Sequence, residues 1–108
     1  MPFDVDGTAA PLESRIEARA VKEARKRGWL AFKMGLWSAG WPDRLFVRMG
    51  TYTWIEFKRP GKEPTPLQTK RHTELRQQGA TVHVCDTWKD AIAVLDRSTN
   101  YYPGAEDL

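Results

Sequence analysis

The stretch Leu45 to Phe57, LFVRMGTYTWIEF, restricts the possible folds more than any other part of this chain. Two runs rich in β-branched and aromatic residues flank Met49-Gly50-Thr51, and a glycine between two such runs is a hairpin signal. Strands are therefore expected at Leu45–Arg48 and Tyr52–Phe57. A lone hairpin is marginal in water, so further strands or helices must cover it.

The flanking sequence supplies them. From Pro11 the pattern is helical, with Leu12, Ile16, Ala20, Val21 and Ala24 on one stripe at spacings of three and four. Ser14 or Thr8 could cap this helix. The basic turn Arg25-Lys26-Arg27 suits a helix C-terminus, and Gly28 ends it. Trp29 to Met34 reads as a strand, and Gly35 to Pro42 as a loop. After the hairpin, Arg59 to Pro66 is a loop with three prolines and a glycine. Thr65 followed by Pro66 and Gln68 has capping-box spacing and opens a second helix, which runs to about Gln78 and stops at Gly79. Thr81–Cys85 is a strand. Thr87 to about Arg97 is a third helix with Trp88, Ile92 and Leu95 inward. The order αβββαβα implies an α/β fold, a small mixed sheet flanked by helices.

Length and composition fit that picture. A chain of 108 residues with 41% hydrophobic residues suits one domain spanning 1–108, with loose tails expected at 1–10 and 98–108. Net charge is +3 and the pI about 9.2, a mild basicity compatible with a polyanion partner. Cys85 is the only cysteine, so no internal disulfide can form. A buried free thiol favours a reducing compartment, and no run is long and apolar enough for a membrane span. The expectation is an intracellular, cytoplasmic protein without a nucleotide cofactor or membrane partner.

The chemistry gathers at the open end of the hairpin. Asp43 follows Pro42 at the entrance, and Glu56 and Lys58 stand at the exit. Residues i and i+2 of a strand share a face, so Glu56 and Lys58 project together while Ile55 and Phe57 enter the core. A hairpin turning at Met49-Gly50 pairs residues whose numbers add to about 100, which sets Asp43 beside the Glu56–Lys58 segment. Two carboxylates this close repel unless a cation stands between them. A hard divalent ion such as Mg²⁺, with oxygen ligands, meets that need. Such an ion can activate water against a phosphodiester, and a nearby lysine can orient that water or offset phosphate charge.

Pro-Asp, a spacer and Glu-x-Lys together resemble the PD-(D/E)xK nuclease superfamily, whose core is restriction-endonuclease-like. The successive segments "GWPDRLFV", "WIEFKRPG" and "TPLQTKRHTELRQQGATVHVCD" look specifically like the VRR-NUC family, virus-type replication-repair nucleases, over Glu13 to Leu95. The resemblance implies a Mg²⁺- or Mn²⁺-dependent endodeoxyribonuclease. Asp43 and Glu56 would be the principal metal ligands, assisted by the Phe57 carbonyl, and Glu17 on the first helix would complete the site. Glu13, one turn earlier on the same face, is an alternative to Glu17. Lys58 would position the nucleophile, and Gln68 would hold the lysine or a phosphate. The resemblance also implies a bacterial or phage source, a homodimer, and branched DNA such as Holliday junctions as substrate in DNA repair.

Each feature has a plainer reading. Pro-Asp is common in turns, Glu-x-Lys can be a solvated strand face, and Gln68 can serve the helix cap alone. His72 and His83 lack a matching ligand set and read as packing or surface residues. Lys33, Arg44, Arg59, Lys62, Lys70 and Arg71 frame the site and are the candidate DNA contacts. The cations of the first helix read as its solvated face. Trp37 and Trp41 could stack on exposed bases or lie at a dimer contact. The competing functions are a non-catalytic DNA-binding module that kept the fold, or a subunit of a larger complex.

Overall fold

The structure, a computed structural model, describes residues 11–35 and 39–98. The expected tail 1–10, the capping candidate Thr8 and Trp37 lie outside the described residues. The elements are α1 (Leu12–Lys26), β1 (Leu30–Lys33), β2 (Arg44–Arg48), β3 (Thr51–Phe57), α2 (Pro66–Gln77), β4 (Thr81–Cys85) and α3 (Trp88–Ser98). The αβββαβα order is the one expected from sequence.

The sheet runs β1-β2-β3-β4. The first three strands are antiparallel neighbours, and β4 lies parallel to β3. Parallel pairing requires a crossover, which α2 provides. The turn between β2 and β3 is tight because Met49 and Gly50 both take positive φ, 48° and 80°. Two left-handed residues match the twist of the flanking strands.

Strand alternation divides the sheet into two faces. Ala31, Phe46, Ile55, Phe57 and Cys85 point toward α1 and α3. They meet Ile16, Ala20, Val21 and Ala24 of α1, Ala91, Ile92, Val94 and Leu95 of α3, and Trp29. Trp29 precedes β1 but is core. Leu12, expected on the buried stripe, is exposed. It stands at the first position of α1, at the rim of a groove with Pro60 and Trp88. Trp88, expected inward, is half-buried and packs against the core, with the Arg19 guanidinium 4.2 Å above its ring. Ser14 lies inside α1 and does not cap it: the N-cap is Pro11, with no side-chain hydrogen bond. The third helix extends through Ser98, the first residue of the expected tail, whose hydroxyl is bonded to Thr53 Oγ1 at 3.2 Å; the rest of that tail, 99–108, lies outside the described residues.

The opposite face is covered unevenly. Among the strands, helix α2 packs there mainly against β4 and reaches β3 through the Gln68–Glu56 bond. Its only buried residue is His72. Leu30, Phe32 and Tyr52 remain exposed across β1 to β3, Tyr52 at 62%. No helix among the described residues is long and apolar enough to cross a membrane.

Candidate active site

The register Arg44↔Ile55 puts Asp43, one residue before β2, across from the end of β3. Its Oδ2 accepts the Phe57 backbone N–H at 2.8 Å. Its own backbone carbonyl accepts the Met34 N–H at 3.1 Å, which ties it to the end of β1 as well. Desolvation raises the affinity of Asp43 for a proton, opposed mainly by the Phe57 amide; Glu17 adds a repulsive field.

Glu56 is 2% exposed. Its Oε2 accepts from Gln68 Nε2 at 3.0 Å and lies 3.4 Å from Lys58 Nζ. Its Oε1 is buried and has no hydrogen-bond partner. Burial, then the field of Asp43, pushes its pKa up to about 7, with Lys58 acting in the opposite direction. Glu13 contributes a weaker repulsion, so its charge reaches the site.

Lys58 is also buried, at 7% exposure. Its backbone N–H donates to Cys85 O at 2.9 Å, which continues the β3–β4 ladder one step past Phe57. The long apolar stem is packed, and the ammonium has little freedom to leave Glu56.

Gln68 performs two tasks. Its Oε1 accepts the Thr65 N–H at 2.9 Å, and its backbone N–H donates to Thr65 Oγ1 at 3.2 Å, forming the capping box of α2. The remaining amide group reaches Glu56. The sequence suggested that it would hold the lysine or a phosphate; in the structure it holds the carboxylate.

Glu17 is arranged differently. It is buried on α1, and its Oε2 accepts from Arg44 Nε at 2.6 Å and Lys33 Nζ at 2.8 Å. Arg44 and Lys33 lie on the α1 side of the sheet, whereas Glu56 lies on the other. The described residues contain no group of three or more His, Cys, Asp or Glu side chains placed to hold a metal. Asp43 and Glu56 thus form a pair, with Glu17 near enough to affect Asp43 but committed to two cations.

The expected DNA contacts are spread around this pair. Arg59 and Lys62 lie on the exposed loop after β3, joined by the Lys62 N–H to Arg59 O bond at 3.1 Å. Lys70 is exposed on α2, and Arg71 is paired with Glu74 at 2.8 Å. Among the histidines, His72 is buried, and its Nε2 has no partner. Burial, with the positive fields of Arg76 and Lys58, lowers its proton affinity. His83 is half-buried on β4. Sequence offered no sign that His72 would lie in the field of Lys58, because α2 has hardly any apolar periodicity.

No protein-family model matches the chain. A curated relative, "Putative nuclease p44" of Acyrthosiphon pisum secondary endosymbiont phage 1, is 39% identical over 77 residues, covering 69% of this chain and 83% of the relative. A solved structure described as a "VRR_NUC domain" superposes with a TM-score of 0.72 at 27% identity, covering 86% of this chain and 100% of that one. The chain belongs to the VRR-NUC family. The four-stranded sheet with its flanking helices is thus a VRR-NUC fold. Within that fold, Asp43, Glu56 and Lys58 converge at one end of the β2–β3 hairpin, with Gln68 bracing Glu56 from α2.

Proposed function

We propose that this VRR-NUC chain is a Mg²⁺- or Mn²⁺-dependent endonuclease that hydrolyses phosphodiester bonds in DNA. One observation carries the reading: Glu56 Oε1 is buried without a partner beside Asp43, and both carboxyl groups are held above their usual proton affinity. Two desolvated acids with an unfilled lone pair are an unmet demand for positive charge. Their donor atoms are all oxygen, which fits a hard divalent cation. Asp43 and Glu56 would hold it, with the Phe57 carbonyl beside them. Glu17, whose Oε2 holds Arg44 and Lys33, would complete the site directly or through a water.

The bound cation would supply Lewis acidity toward a phosphodiester and its attacking water. The chain's own residues would orient and exclude. Lys58, fixed against Glu56, presents an ammonium to the attacking water or to the charge that develops on phosphorus. Gln68 prevents Glu56 from rotating away. Arg59, Lys62 and Lys70 offer phosphate contacts that position DNA without reading its sequence.

Branched DNA such as a Holliday junction is the proposed substrate, and a homodimer the proposed assembly, because paired incisions across a branch need two sites. The uncovered apolar face at Leu30, Phe32 and Tyr52 supports burial against a second copy. The deciding experiment is a cleavage panel over linear duplex, flap and four-way junction with Mg²⁺ or Mn²⁺. Wild type should cut the junction, and Lys58→Ala should bind it but cut at least about 100-fold more slowly. A wild type that cuts none of these DNAs with either cation overturns the reading.

A further inference from the structure

Beside Asp43 lies a cleft of about 390 Å³ lined by Lys33, Met34, Trp41, Pro42 and Asp43. That volume falls in the range of sites that take a single small molecule. Trp41 forms one wall and is 37% exposed. Its indole meets Trp54 of β3 edge to face, with centroids 5.5 Å apart and planes at 62°. Pro42 is fully buried on one side of it. On the other side, Gly40 at φ +82° lies so close to α2 that a Cβ would fall 2.7 Å from Leu67 Cγ and 2.9 Å from Arg71 Cγ. The tryptophan is therefore braced by β3 and α2, with part of its ring left open to the cleft. The Lys33 side chain, paired with Glu17, is 58% exposed at the same cleft, and the Arg71 side chain, paired with Glu74, lies against Gly40.

A braced aromatic ring open to a cleft with a half-exposed lysine at its edge suits a nucleotide, because every base offers a π-face for stacking and every linkage a negative charge. A base inside an intact duplex is already stacked and has no face to give. We propose, on the DNA-cleaving reading of the adjoining acid pair, that Trp41 is a stacking shelf for one unpaired nucleobase next to the phosphate brought to Asp43 and Glu56. The cleft thereby selects DNA that has an unpaired nucleotide, as at a flap, a frayed branch point or a single strand. Trp54 positions the shelf and does not touch the base.

The test uses full-length protein in EDTA, so that no strand is cut. 2-Aminopurine is placed at the branch-adjacent unpaired position of a flap, in a single strand, and within a linear duplex. Binding is followed separately by anisotropy. Wild type should quench the unpaired probe in the flap and the single strand, and leave the duplex probe unchanged. Trp41→Ala should weaken flap binding by about 5- to 150-fold, leave duplex binding unchanged and abolish the quench. Trp41→Phe should restore most of both, and it keeps the test open if the alanine variant does not fold. DNA that binds tightly with no quench, or a Trp41→Phe protein that has lost flap binding while its melting temperature is unchanged, overturns the shelf and leaves the nuclease reading intact. A wild type that binds none of the three DNAs, with or without Ca²⁺, overturns both.

Discussion

Gln68 Nε2 donates to Glu56 Oε2 at 3.0 Å while Gln68 Oε1 accepts the Thr65 N–H at 2.9 Å, so one amide joins the start of α2 to the acid on β3. The two functions can be separated by substitution. Gln68→Glu keeps the capping acceptor but turns a second carboxylate toward Glu56. Gln68→Ala removes both bonds. We expect the alanine variant to lose about 1–2 kcal/mol of stability through the broken cap. The glutamate variant should keep its cap yet lose DNA cleavage as severely as alanine. Urea melts and single-turnover rates check this, and a fully active glutamate variant would remove Gln68 from the site.

The Glu17–Arg44 pair predicts a coupling. Both side chains are largely shielded, and Lys33 shares the same carboxylate oxygen. Removing Arg44 alone leaves Glu17 under-compensated, at about 1–3 kcal/mol. Glu17→Gln in the Arg44→Ala background should recover part of that loss. A double-mutant cycle that is additive within about 0.5 kcal/mol would show that the pair contributes nothing of its own.

Glu56 fixes a pH dependence. Its folded pKa is raised from 4.5 to about 7, so the folded chain prefers the protonated acid. The preference contributes stability below the unfolded value, and that contribution is lost as pH rises through about 7. In EDTA, the melting temperature should fall between pH 5 and pH 7.5. A divalent cation should raise it more at pH 7.5 than at pH 5, because the ion needs the ionised form. Glu56→Gln should flatten both trends. Calorimetry at the two pH values checks this, and a cation effect independent of pH would count against Glu56 as a ligand.

Gly40 gives a steric prediction. Alanine there combines a left-handed backbone with contact distances below 3.0 Å to Leu67 and Arg71. The loop must move away from α2, which should cost about 1–3 kcal/mol. It should also displace Trp41 and Asp43. Denaturant melts and near-ultraviolet circular dichroism, which reports tryptophan packing, should both change.

Cys85 should be inert while the chain is folded. Burial, with help from Asp90 and Asp86, pushes its thiol up to about 11. At neutral pH, a thiol-reactive dye should label it only at the rate of unfolding, and labelling in native buffer within seconds would contradict its burial.

The parts of this fold visible in the sequence are those decided by near neighbours. The Met49-Gly50 turn, the Thr65–Gln68 box and the alternation of β3 each depend on a few consecutive residues. The proximity of Asp43 to the end of β3 followed from the hairpin register. Partnerships set by packing between distant elements were not visible. Glu17 meets Lys33 and Arg44 because α1 settles onto the sheet with that side of the helix toward β1 and β2. Nothing in the helical stripe distinguishes a glutamate aimed at two cations from one aimed at Asp43. The burial of His72 was hidden for a similar reason: α2 is polar almost throughout and packs mainly against β4.

The crossover has a consequence for synthesis. Asp43, Glu56 and Lys58 all precede α2 and β4 in the chain. A nascent polypeptide that has emerged only as far as the hairpin carries these groups in water, where Glu56 is an ordinary acid. The apolar and amide surroundings that change its behaviour arrive only with α2 and β4. Until α2 and β4 dock beside β3, the acid lacks the setting that raises its hold on a proton.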